Sequence, residues 1–384
     1  MKKTAIAGWL ILTGFLFGLF EISSYAVLSL TPQLKPYLYF QPEVGREAYQ
    51  TYLAERHPVL GWPGASWLER RADDRGARLS PANAGFGDVP SCIDVYGDSF
   101  AFGAEASDEG AWANVLADRL GCRVDNYGVG GYGVGQAQLR FELNLEQRPA
   151  AETIVMTLYP DNLVRNVNQW RHLLTGNPLA FKPAFFVGEN GVELAPLFDG
   201  DYEAFQELAA NPETYLLAEA HLPDASSLRA PIAMEFPYSL TVASLAYKFA
   251  SGFRGFDTDG RPSFYNYPAY YDTSDGPSEN KQAVTRYIIE RFAAHCGSVA
   301  AHCVFVIMPD PELLFQRETF GEHDLGWMKP AGEGLIYLDG ADVFADVDDI
   351  CAHLTNPDAC SGHFNAAGYA RMAEFVGDAI LATR

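Results

Sequence analysis

Charged and apolar positions separate sharply along this 384-residue chain, beginning at its first turn. Two lysines, Lys2 and Lys3, precede a stretch from Ala5 to Phe20 that carries no charge; Glu21 interrupts it, and apolar character resumes through Leu30. Lysines ahead of an apolar run of bilayer length favour a cytoplasmic N-terminus with everything after it exported. If Glu21 lies near the outer interface, the run is an uncleaved anchor. Ser24-Tyr25-Ala26 offers the other reading, a small-x-small cleavage site at the end of a signal peptide.

Residues 31–88 keep no period, with Pro, Gly and charges scattered among pieces such as His57-Pro-Val-Leu-Gly-Trp62 and Arg75-Gly-Ala-Arg78. Short apolar runs then alternate with amphipathic stretches. They predict strands at 92–97, 123–127 and 153–159, with helices at 110–120 and from 134 onward. A long departure follows over residues 165–280, rich in Pro, Phe and Tyr, and without sustained periodicity over Pro178 to Phe186, Tyr215 to Leu222 and Phe253 to Tyr271. The alternation returns with a helix at 280–295, strands at 303–308 and 335–339, and a closing helix at 366–381. Five strands joined by helices predict an α/β fold with a parallel, doubly wound sheet in flavodoxin-like order. The expected organisation is a membrane segment at 1–30, an irregular segment at 31–88 and an α/β domain at 89–384 interrupted by the insertion. An insertion of this length reads as a lid or substrate platform. Its Trp170, Tyr265, Tyr267, Tyr270 and Tyr271 either stack on sugar rings or fill the insertion's own core.

The chemistry-bearing residues fall at the ends of these elements. The first strand runs into Gly97-Asp98-Ser99, the second into Gly128-Val-Gly-Gly-Tyr-Gly133, and the third into Pro160-Asp161-Asn162; Ser361-Gly-His363 precedes the last helix. A serine at the carboxyl end of a strand and the start of a helix sits where open α/β sheets place ligands, beside backbone N–H groups that favour developing negative charge. Serine needs a base to become a nucleophile, and histidine is the side chain suited to that task. The competing reading of Asp98 and Ser99 is a plain helix cap, and that of the four glycines a tight turn.

Taken together, the four blocks resemble the SGNH (GDSL-type) hydrolase superfamily, in particular its membrane-anchored bacterial members, over about residues 89–170 and 282–384. The resemblance implies Ser99 as nucleophile and His363 as general base and then acid. It implies an oxyanion hole formed by the backbone N–H groups of Ser99 and Gly131 and the amide of an asparagine in the third block. It implies no cofactor or metal. Two positions depart from the family pattern. The third block usually has Asn before Asp, whereas Asp161 precedes Asn162 here; an ionised carboxylate cannot donate to an oxyanion, so Asn162 is the expected donor. The acid usually found two or three residues before the histidine is absent, since those positions are Ser361 and Cys360. Asp358 is the nearest replacement, and a Ser-His dyad is the alternative.

A net charge of −22 opposes binding to nucleic acid or anionic headgroups through a broad basic surface. Six cysteines fit an exported, oxidised chain, and position suggests the pairs Cys92–Cys122, Cys296–Cys303 and Cys351–Cys360 among fifteen connectivities; there is no Cys-x-x-Cys to suggest a metal site. The remaining histidines, His57, His172, His221, His295, His302, His323 and His353, have no zinc-like spacing. The expected activity is that of an exported esterase removing acyl groups, O-acetyl in the first instance, from a polysaccharide or glycoconjugate. An O-acyltransferase using the same site and an inactive glycan- or partner-binding envelope protein are the alternatives.

Overall fold

A computed structural model of the chain describes residues 2–64, 72–216, 232–256, 277–311 and 334–383 except Asp348, with short stretches between them. In chain order its principal elements begin with α1 (Lys2–Leu30), β1 (Ile93–Tyr96), α2 (Ser99–Phe102), α3 (Trp112–Leu120) and β2 (Val124–Asn126). Then come α4 (Val134–Gln147), β3 (Thr153–Leu158), α5 (Asn162–Asn166), α6 (Tyr238–Gly252) and α7 (Pro277–Val299). The chain closes with β4 (His302–Ile307), β5 (Leu335–Asp339), the hairpin β6 (Leu354–Asn356) and β7 (Ser361–Phe364), and α8 (Ala366–Leu381).

The main sheet has the order β2-β1-β3-β4-β5 with every neighbouring pair parallel. This is the flavodoxin-like order expected from the alternating pattern, and its reversal point lies between β1 and β3. Side chains of β1 alternate between two buried faces. Ile93 and Val95 enter an apolar core with Trp112, Leu116, Tyr369, Met372 and Val376 of α3 and α8. Removing each such side chain from water contributes about 1.5–3 kcal/mol. Tyr96 enters the other face, against Tyr127 at 5.2 Å and Phe141 at 5.3 Å.

That second face also holds charge. Asp94 and Asp125 are neighbours in the β1–β2 register and are 1% and 0% exposed. Buried carboxylates persist only when paired and hydrogen-bonded. Asp94 meets Arg148 at 3.0 Å and the Ser91 hydroxyl at 2.6 Å, and Asp125 meets Arg123 at 2.8 Å and Arg75 at 3.4 Å. Arg123 also grips Asp73 at 2.6 Å. The irregular stretch around residues 73–91 is therefore fastened to the sheet by ion pairs. Burial nonetheless pushes the Asp94 carboxyl up to about 6.

The three disulfides are Cys92–Cys122, Cys296–Cys303 and Cys351–Cys360, the pairs expected from position. Contacts divide the chain into two compact units. One comprises Tyr52–Gln169, Lys182–Leu197 and Tyr270–Arg384 and holds the sheet; the other comprises Met1–Thr51, Trp170–Phe181 and Phe198–Ala269. The insertion is thus shared. Its hairpin Ala184–Gly188/Gly191–Ala195 belongs to the sheet unit, whereas Trp170–Phe181 and Phe198–Ala269 join the N-terminal segment. In that second unit Trp170 is fully buried and stacks on Phe181 at 5.5 Å, while Tyr49 stacks on Phe205 at 4.6 Å. Trp170 therefore serves the insertion's own core and offers no ring face to a sugar. Tyr265, Tyr267, Tyr270 and Tyr271 lie outside the described residues.

Candidate active site

Ser99 opens α2 directly after β1, and Asp98 is its cap: Asp98 Oδ1 accepts the Phe100 N–H at 2.9 Å. The cap reading of Gly-Asp-Ser therefore falls to Asp98, and the Ser99 hydroxyl is not needed for it. As the first helical residue, Ser99 has an N–H without an intrahelical acceptor. The glycine loop wraps this helix closely. Val129 N–H donates to Gly97 O at 3.0 Å, and a Cβ on Gly128 would overlap the Phe102 backbone nitrogen. Gly131 has φ +80°, a conformation that favours glycine.

The reversal of Asp161 and Asn162 has a structural counterpart. Asp161 is committed to Arg165 one turn along α5, at 2.6 Å. Arg165 also reaches Asp98 Oδ2 at 3.4 Å and Tyr132 O at 3.3 Å, so a guanidinium balances both carboxylates. Asn162 is fully buried and turns its amide inward, donating to Asp98 Oδ2 at 2.8 Å and to Tyr132 O at 3.5 Å. Its Oδ1 is buried without a hydrogen-bond partner among the described residues. Burial raises the Asp98 carboxyl above its usual range, opposed by Arg165, Asn162 and the Phe100 N–H.

His363 lies in β7, whose antiparallel pairing with β6 forms a hairpin closed by Cys351–Cys360. Asn365 fixes the exit of this hairpin into α8. Its Oδ1 accepts from Ala367 and Gly368, and its Nδ2 donates to Ala352 O and Leu354 O. Phe100, the residue after Ser99, stacks on Tyr159 at 4.0 Å, meets the His363 ring at 4.8 Å and packs edge-on against Phe364 at 5.3 Å. One buried aromatic thus joins the serine helix, the end of β3 and the histidine strand.

The carboxylate beside the histidine is Glu105. Its Oε1 lies 3.1 Å from His363 Nδ1, a charge-pair distance; that nitrogen is closed to solvent and makes no aligned hydrogen bond among the described residues. The Thr355 hydroxyl donates to the second oxygen of Glu105. That bond and the imidazole hold the Glu105 carboxyl below its usual range, against partial burial. Glu105 adopts φ +64°, a left-handed conformation uncommon for a residue with a side chain. Asp358 is exposed in the turn between β6 and β7 and makes no hydrogen bond or ion pair to His363 among the described residues. The structure therefore brings Phe100, Glu105, Thr355 and His363 together, and separately Asp98, Asn162 and Arg165; no hydrogen bond joins the Ser99 hydroxyl to His363 among the described residues.

The sheet order defines a parallel, doubly wound α/β fold, with Gly-Asp-Ser following β1 and Ser-Gly-His ahead of the last helix. No protein-family model and no curated protein matches the sequence. Among solved structures, the chain is similar to a G-D-S-L family protein from Desulfitobacterium hafniense DCB-2, at 12% identity and a TM-score of 0.36, over 76% of this chain and 99% of that one. It is also similar to a carbohydrate acetylesterase family member from Sinorhizobium meliloti, at 12% identity and TM-score 0.31, over 76% and 98% of the two chains. An acetyl xylan esterase from the rumen bacterium Butyrivibrio proteoclasticus matches at 10% identity and TM-score 0.31, over 77% and 65%.

Proposed function

We propose that the protein is an exported serine esterase of SGNH type that removes acyl groups, O-acetyl in the first instance, from a polysaccharide or glycoconjugate. The observation that carries this reading is the 3.1 Å approach of Glu105 to His363 Nδ1, in a strand packed through Phe100 on the serine helix. A carboxylate at Nδ1 holds that nitrogen protonated and leaves Nε2 as the base. Ser99 Oγ then attacks the ester carbonyl carbon as its proton passes to Nε2, and the backbone N–H groups of Ser99 and Gly131 receive the oxyanion. His363 returns the proton to the departing sugar oxygen, and a water activated in the same way releases the acyl group. Asn162 supports this arrangement by orienting Asp98, the cap of α2. Three disulfides and an apolar N-terminal helix support an exported, anchored location.

The reading is tested by labelling the full chain with a serine-directed fluorophosphonate, comparing wild type with Ser99→Ala and His363→Ala. Labelling lost in both variants supports an activated serine. A folded wild type that does not label sinks the hydrolase reading in favour of an inactive binding protein. Following acetate release and sugar acetylation in parallel separates hydrolysis from acyl transfer.

A further inference from the structure

Within the N-terminal unit, α1 is 29 residues long, or about 43 Å at 1.5 Å per residue, against a hydrocarbon thickness of about 30 Å. If Lys2 and Lys3 mark the cytoplasmic face, about 20 residues of span end near Glu21, Ser23 and Ser24, the first polar cluster along the helix. Glu21 is only 4% exposed, and what covers it is the start of α6: the Ser239 N–H donates to Glu21 Oε2 at 3.3 Å and the Ser239 hydroxyl to Oε1. A carboxylate at this depth requires such donors. The first turn of α6 therefore stands level with the outer membrane boundary.

The turn before α6 reaches deeper still. The Phe236 ring meets Phe17 edge-on at 6.1 Å, one helical turn to the cytoplasmic side of Glu21. Tyr238 meets Tyr25 at 5.0 Å, at the level suited to an amphipathic ring. From there α6 climbs along α1, with Leu245 and Leu28 sharing a buried cluster and Phe249 meeting Tyr37 at 4.9 Å. Phe236 is 65% and Leu240 63% exposed, and the Phe236 ring adjoins the partly exposed Phe17 of α1.

We infer that Phe236 and Leu240 enter the outer leaflet beside α1, giving the protein a second, interfacial hold on the bilayer. The inference rests on the reading of α1 as a membrane span. Its occupant is lipid, because the exposed rings abut the surface of the span itself. Two contacts fix the height and rotation of this unit at the membrane, which a single helix leaves free.

The full chain is reconstituted in phosphatidylcholine–phosphatidylglycerol vesicles with photoreactive benzoylphenylalanine in place of Phe236, Leu240, Phe15 or Gln206, irradiated, and analysed for lipid adducts by mass spectrometry. Phe15 reports the span, and Gln206 is an exposed polar position of the same unit. The expected result is adduct yields at Phe236 and Leu240 comparable to Phe15 and on the order of tenfold above Gln206. Adducts at Phe15 with Phe236 and Leu240 behaving like Gln206 overturn the inference and leave the span intact. Failure at Phe15 as well removes the span reading beneath it. Chain-to-chain crosslinks at Phe236 in place of lipid adducts identify a second copy as the occupant and also overturn it.

Discussion

Replacing Glu105 with glutamine preserves size and hydrogen-bonding capacity but removes the charge 3.1 Å from His363 Nδ1. Two unit charges at that separation attract by about 5 kcal/mol at an effective dielectric of about 20 and by about 1.3 kcal/mol in bulk water. The Glu105 side chain is half exposed and that of His363 about one-fifth exposed, so the value lies between these limits, at roughly 2–3 kcal/mol. This attraction exists in the transition state, when the imidazole carries the serine proton, and is much weaker in the ground state. The loss should therefore appear in kcat, by roughly 30- to 150-fold, with KM nearly unchanged. Steady-state hydrolysis of p-nitrophenyl acetate by wild type, Glu105→Gln, Glu105→Asp and Asp358→Asn measures it, with Ser99→Ala as the floor. Glu105→Asp, one methylene short, should fall between wild type and Glu105→Gln. Full activity in Glu105→Gln, or a comparable loss in Asp358→Asn, would refute the assignment of Glu105 as the residue that positions His363.

Three further outcomes follow from the packing. Gly128→Ala forces a methyl into the backbone of the serine helix, and should cut activity far more than it lowers the thermal midpoint; equal losses of both would mean general unfolding. Replacing Cys92 and Cys122 with alanine reopens a loop of separation 30 and should cost about 3.5 kcal/mol, read by urea titration against the oxidised wild type. Because the Asp94 carboxyl is raised to about 6 from an unfolded value near 3.8, the folded state binds its proton more tightly. Its contribution favours folding below about pH 4 and is lost as pH rises through about 6. The stability difference between wild type and Asp94→Asn should therefore change by up to about 3 kcal/mol across that window, and a flat difference would contradict the burial argument.

Strands β3 and β4 were legible because Ile154 to Leu158 and Cys303 to Ile307 are buried on both faces, leaving an apolar signature several residues long. Ser99 and His363 stood out as candidates because each lies close to a glycine at a turn, Gly97 and Gly362. Glu105 was not. Its meeting with His363 depends on a left-handed backbone at one residue and on Phe100 bringing distant segments together, and neither has a periodic trace. An acidic residue just past the serine helix, close behind Gly103, was the only local hint. Arg165 was overlooked because a lone arginine one turn after Asp161 reads as a surface ion pair, whereas here it also faces buried Asp98. The insertion resisted periodic reading because it is divided between two cores: hairpin 184–195 serves one and the aromatic cluster around Trp170 the other.

The hairpin that carries His363 is held by a disulfide from Cys360, at the end of its turn, to Cys351 in the short helix ahead of β6. If the chain is exported and catalytic as proposed, this ties the chemistry to a place. A chain still on the reducing side of the membrane can assemble its sheet while the short β6–β7 ribbon, marginal without a crosslink, leaves the base unaligned with its serine. On the proposed reading, ester cleavage would then begin only after translocation. Equal hydrolysis rates for oxidised protein and protein reduced at this bond would show that no such arming step exists.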